Sequence, residues 1–133
     1  MGDSFEQERR EFIRVKCEVP VRYKFLTKSR QDPALDNIYE GTSTNVSGGG
    51  ILLNGKIPNL SWIPDLLMQK MVVGINILLP NEEKPIKALT RVSWLESMDD
   101  QTQRCAIGLK FKEITAEDRD KIFKFVIKAQ MPS

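Results

Sequence analysis

The feature that most narrows what this chain can fold into is a run of apolar residues at every second position. Ile13, Val15, Cys17, Val19, Val21, Tyr23 and Phe25 form one set, and Arg14, Lys16, Glu18, Arg22 and Lys24 take the alternate positions. A period of two puts one set on a buried face and the other in water, which describes a half-buried β-strand. The period returns in Val73, Ile75, Ile77 and Leu79, stops at Pro80-Asn81 and the polar hairpin Glu82-Glu83-Lys84, and reappears in Cys105, Ile107, Leu109 and Phe111. Further strands are expected over about 38–44, from Ile51 to Leu53, and over 86–95, with a turn at Asp99-Asp100-Gln101. Short strands joined by turns predict an antiparallel sheet closed into a barrel or sandwich, rather than βαβ units.

Local breaks refine this outline. Pro20 cannot donate to a ladder, so an edge, a bulge or two strand pieces are expected there. The polar stretch 28–37 with Pro33 reads as a loop, and Gly48-Gly49-Gly50 as a turn that brings backbone close to something. After Phe111 the period changes. Thr115 can cap a helix with Glu117, Asp118 and Asp120 near its positive end and Lys124 and Lys128 toward its negative end. Ile122, Phe123, Val126 and Ile127 make its apolar stripe, suited to covering one opening of the barrel. Residues 54–70, with Pro58, Trp62, Pro64, Leu66, Leu67 and Met68, read as an insertion containing a short helix over 65–70. Its first expected role is core packing, with a dimer or partner contact left open.

At 133 residues the chain has room for one domain. It has no histidine, which removes most zinc-hydrolase, Ser-His-Asp and Cys-His mechanisms, and no metal site is expected. The carboxylate pairs Glu82-Glu83 and Asp99-Asp100 fall in polar turns with no nucleophile beside them, so an enzyme is not expected. Cys17 and Cys105 sit at apolar positions and read as buried thiols, consistent with a reducing cytoplasm. No secretory signal is read in the first residues, and the run from Met71 to Leu79 is far short of the roughly 20 residues that cross a bilayer, so no membrane insertion is expected.

Net charge is only +2, but residues 9–30 carry Arg9, Arg10, Arg14, Lys16, Arg22, Lys24, Lys28 and Arg30 against Glu11 and Glu18. This end is either built to meet an anion or is a solvated strand face. Two polar clusters precede apolar strand positions. In the first, Arg10 and Arg14 share one side of an extended chain, and guanidinium forks can grip phosphate oxygens, read the O6/N7 edge of guanine, or stack on a base. In the second, Asn45 offers an amide, Ser47 a hydroxyl, and the glycines open approach to backbone N–H groups. An Asx or Ser turn joining two strands is the alternative.

Arg-x-x-x-Arg at Arg10 and Arg14, followed by Asn-x-Ser-x-x-Gly at Asn45, Ser47 and Gly50, resembles the PilZ domain, a bacterial family in which these motifs bind the second messenger cyclic di-GMP. The segments Ile51-Leu52-Leu53, Arg91-Val92-Ser93-Trp94 and Gly108-Leu109-Lys110-Phe111 and the terminal helix fall in the family's order. The resemblance implies a mainly β fold, a six-stranded antiparallel barrel with a C-terminal helix. It implies an arginine-bearing arm over 1–14, flexible until it wraps the ligand, and a barrel over 15–133 with the insertion at 54–70 and the helix at 115–129. Arg10 and Arg14 would take phosphates and a guanine edge or face. Asn45 and Ser47 would hydrogen-bond a guanine or its ribose phosphate, and Gly50 would allow close contact. Arg9 is similar to the variant that binds an intercalated pair of ligands. Trp94 is similar in position to an aromatic that stacks on guanine, with an indole packed in the barrel as the alternative.

The expectation is therefore a cytoplasmic, non-catalytic receptor for cyclic di-GMP with no other cofactor, relaying the signal to a downstream protein of motility, pilus or polysaccharide machinery. One ligand or two, and a ligand-dependent homodimer, are left open. A protein-interaction adaptor with little nucleotide affinity is the main rival. A single-strand nucleic-acid binder is disfavoured by the small net charge and the 8% aromatic content.

Overall fold

The computed structural model describes residues 18–28, 31–99 and 101–130. Six antiparallel strands, β1 (Val19–Leu26), β2 (Tyr39–Val46), β3 (Gly50–Lys56), β4 (Val72–Ile77), β5 (Ile86–Asp99) and β6 (Arg104–Ile114), close into a barrel in the order β1-β2-β3-β6-β5-β4. A short helix α1 (Ile63–Leu67) lies between β3 and β4, and α2 (Ala116–Gln130) follows β6. The mainly β fold with a C-terminal helix is as the sequence predicts, and closure leaves no edge strand to protect.

The period-two residues line the inside. Val19, Val21, Tyr23 and Phe25 of β1, Val73, Ile75 and Ile77 of β4, and Ile107 and Leu109 of β6 are all buried, as is Cys105. Pro20 is tolerated without an edge because it is the second residue of β1. It faces Thr42 on one side, and on the other its carbonyl accepts from the Leu78 N–H at 3.0 Å.

Several boundaries move. β2 runs on to Val46 and β3 starts at Gly50, so the glycine turn is tighter than expected. No described glycine has a positive φ, and Gly50 answers to close approach, against the Leu109 backbone, rather than to a left-handed backbone. β5 extends to Asp99. Asn54 to Lys56 belong to β3, so the insertion begins after Lys56, and its helix starts earlier than 65–70, with Pro64 in the first turn. Within it Ile57, Trp62 and Leu66 are buried, as is Met71 just after it, and Trp62 meets Phe25 edge-on with ring centroids 5.2 Å apart. Leu67 and Met68 instead face solvent.

Thr115 caps α2 by accepting from the Asp118 N–H at 3.1 Å. Ile122 and Val126 enter the core, with Phe125 packed partly against it, while Phe123 and Ile127 are exposed. The expected four-residue stripe is thus split. Residues 122 and 126 form one i,i+4 row and 123 and 127 the next row round the helix, and the barrel takes only the first.

Tyr23 locks β1 to β3. Its hydroxyl donates to the Lys56 carbonyl and accepts from the Lys56 N–H, both at 2.7 Å, and its ring occupies the space that a side chain at Gly55 would need. Burial pushes the phenol up to about 12 from 10.0. The folded state holds the neutral form, so its contribution is complete below pH 10 and is lost as pH rises toward 12. Two pKa units correspond to about 2 to 3 kcal/mol. The stability advantage of the wild type over Tyr23→Phe, measured by urea unfolding, is expected to be constant up to pH 9 and to shrink between pH 10 and 12.

Candidate ligand-binding site

Two β-bulges arrange the outer wall of the barrel. In β2 the register shifts between Ser43, opposite Leu53, and Asn45, opposite Leu52, so Thr44 is an extra residue. Ser43 points inward, fully buried, and its hydroxyl spans the bulge by donating to the Asn45 carbonyl at 3.2 Å and accepting from the Asn45 N–H at 3.4 Å. In β5 the register shifts between Val92, opposite Leu109, and Trp94, opposite Gly108, with Ser93 as the extra residue. Each bulge restarts the alternation one residue late, which re-aims the next side chain to the other face.

Asn45 and Trp94 therefore come onto one outward rung. Asn45 faces Leu52, Leu52 faces Gly108, and Gly108 faces Trp94, across β2, β3, β6 and β5. Three strand spacings separate the ends of this rung, about 14 Å. Trp94 is 46% exposed, which excludes an indole packed inside the barrel. Its ring lies over Gly108, so close that any side chain there would collide with the indole. Gly108 thus lets the ring lie against the sheet, and with Leu52 it makes an apolar floor that the sequence reading did not assign to the site. The signal was in the alternation itself: Gly108 stands at an outward position between Ile107 and Leu109.

The corner after β2 closes the floor. Ser47 is buried, and its hydroxyl donates to the Gly50 carbonyl and accepts from the Gly49 N–H, both at 3.2 Å. This is the Ser turn anticipated as the alternative, and it leaves the oxygen one further lone pair for an incoming donor. Gly50 stands against the Leu109 backbone, where a β-carbon would meet the carbonyl oxygen. Asn45 Oδ1 is buried without a hydrogen-bond partner among the described residues, which leaves a buried acceptor unsatisfied. The neighbouring outward rung, Gly50 with Lys110 and Lys110 with Arg91, adds two exposed cations that the sequence reading also left out.

Arg9, Arg10 and Arg14 lie outside the described residues. Val19, the first residue of β1, pairs with Ser43, two residues from Asn45, so β1 begins beside the amide corner. Arg14 is four residues before Glu18, a reach of about 13 Å when extended.

The outer wall of the closed barrel thus combines an apolar floor, an unmatched amide carbonyl and two exposed cations. The family model of the PilZ domain matches residues 8–128, and the chain belongs to that family. Similar folds are the Bacillus subtilis inhibitor of motility MotI/DgrA (20% identity, TM-score 0.62, 92% of this chain and 51% of that one) and the PilZ domain of CeSA from a cellulose-synthesizing bacterium (16%, 0.51, 89% and 98%). The PilZ domain of YcgR from Escherichia coli, solved with c-di-GMP, is another (8%, 0.56, 92% and 92%). The chain spans about half the length of MotI/DgrA. No curated protein matches it in sequence. Among the described residues no helix is long and apolar enough to cross a membrane.

Proposed function

We propose that this PilZ domain is a non-catalytic receptor for cyclic di-GMP that works in the cytoplasm and relays binding through its N-terminal arm. The observation that carries this reading is the convergence at one corner: β1 begins beside Asn45, on the rung that ends at Trp94. Membership of the family and the cyclic di-GMP held by the YcgR domain support it. Arg10 and Arg14 bind the phosphates and one guanine edge. Asn45 Oδ1 accepts from a guanine N–H or an arginine, Ser47 accepts one further hydrogen bond, and Gly50 keeps the corner close. Trp94 stacks on a base, and Arg9 favours a second, intercalated ligand. The arm, residues 1–14, passes from a flexible to a docked state, changing the surface offered to a protein of motility, pilus or polysaccharide machinery.

Calorimetric titration with cyclic di-GMP, combined with a size measurement, tests the reading and reports stoichiometry and dimerisation together. Micromolar binding is expected, and a flat titration removes the proposal in favour of an adaptor without nucleotide affinity. Base-aromatic stacking contributes roughly 1 to 3 kcal/mol, so Trp94→Ala is expected to weaken binding about 5- to 150-fold. The exposed indole at Trp94 is the accessible one of the two tryptophans, since Trp62 is fully buried. Cyclic di-GMP is therefore expected to protect the wild type, but not Trp94→Phe, from acrylamide quenching.

A further inference from the structure

A concave feature lies on the part of the wall formed by β1, β4 and β5, and it shares no residue with the Asn45–Trp94 rung. A groove of about 620 Å³ opens there, with Leu26, Gly74, Leu89 and Ile114 among its apolar lining and Arg22, Lys24 and Lys87 at its rim. Its origin is a missing side chain. Lys24 faces Gly74 and Gly74 faces Leu89, so the middle of this outward rung carries no side chain of its own, the end of Leu26 lies beside it, and the flanking side chains stand as walls. The next rung, Arg22 with Asn76 and Asn76 with Lys87, supplies two of the cations. Leu26 at 39% and Ile38 at 67% exposure leave apolar surface uncovered beside it.

Among the described residues the groove itself is lined by three cations, Arg22, Lys24 and Lys87, against one carboxylate, Glu113. Arg22 meets Glu40 at 3.6 Å, but both side chains are mostly exposed, so that pair is weak and easily exchanged. At the far edge a further carboxylate, Asp118 of α2, accepts at Oδ2 from the Lys87 backbone N–H of β5 at 3.2 Å. A floor of this kind asks for a bulky apolar group, and the rim asks for negative charge around it.

We propose that the groove docks an acidic peptide segment of a partner protein, one apolar side chain seated over Gly74 and flanking carboxylates meeting Lys24, Lys87 and Arg22. An extended nucleic-acid strand is a poorer match, because no exposed aromatic ring lines the groove to stack on bases. The inference is independent of cyclic di-GMP, since none of its residues belongs to the proposed ligand site.

The test is fluorescence polarisation of the full chain with three fluorescein-labelled seven-residue peptides, each with a central Phe, Leu or Trp flanked by three glutamates on either side, and with lysine-flanked counterparts. At least one acidic peptide is expected to bind in the micromolar range, and the lysine peptides at least tenfold more weakly. Lys24→Glu combined with Lys87→Glu is expected to weaken binding about tenfold or more. Gly74→Leu should do the same by filling the floor without a charge change, because its β-carbon would meet the end of the flexible Leu26 side chain at 3.3 Å and the Lys24 carbonyl at an ordinary 3.9 Å. Unchanged melting of both variants shows that the loss is local. Failure of all three acidic peptides, equal binding by the variants, or displacement by a single-stranded oligonucleotide at lower concentration than by unlabelled peptide overturns the proposal.

Discussion

Replacing Arg14 by alanine is expected to weaken cyclic di-GMP binding about 100-fold or more while leaving the melting temperature of the unliganded protein unchanged. Hydrogen bonds to charged groups contribute roughly 1.5 to 3 kcal/mol each, and a guanidinium gripping a phosphate makes two. Losing about 3 kcal/mol is more than two decades in Kd. Arg14→Lys keeps the charge but not the fork, so it should fall between the two. The stability half of the prediction follows from the sequence pattern, in which Arg14 alternates with the apolar set whose members Val19 to Phe25 line the core. Calorimetry and thermal melting on the same samples check both halves. Binding by Arg14→Ala within threefold of the wild type would show that the arm does not grip the ligand, and the convergence beside Asn45 would then need another explanation.

The inner wall of the barrel was legible because buried positions obey a period of two wherever a strand is regular, as in Val19 to Phe25 and Val73 to Ile77. What decides the site was not, because it depends on where that period breaks. Thr42-Ser43-Thr44-Asn45 is polar throughout, so nothing in the sequence shows that Ser43 goes inside and that Thr44 is the extra residue of a bulge. The same holds for Ser93, whose insertion puts Trp94 outside. Motif order singled out the candidate corner, and only the cross-strand register shows that Asn45, Leu52, Gly108 and Trp94 form one rung. The phase of α2 was hidden for a different reason, since two adjacent apolar rows compete for one contact and the geometry of the barrel end chooses between them.

Gly50 separates a structural demand from a ligand demand at the same position. The resemblance assigns it to close approach of a ligand, but the backbone it approaches in the structure is that of Leu109 on the neighbouring strand. It pairs with Lys110 as the first residue of β3, at the seam where β3 and β6 join the barrel. A β-carbon there would run into the Leu109 carbonyl, and a backbone oxygen held in a ladder cannot rotate away as a side chain can. Overpacking of this kind typically costs about 1 to 3 kcal/mol and sometimes more, and here the strand must move. Gly50→Ala is therefore expected to lower stability by about 3 kcal/mol, roughly 10 °C in melting temperature for a domain of this size. Gly74→Ala is the matched control: a β-carbon there would meet a flexible leucine methyl at 3.3 Å, so its stability should stay within about 0.5 kcal/mol of the wild type. Urea unfolding of the two variants without ligand checks the contrast. Should Gly50→Ala prove as stable as the wild type and yet fail to bind cyclic di-GMP, the glycine serves the ligand rather than the seam, and the rigid seam described here would be wrong.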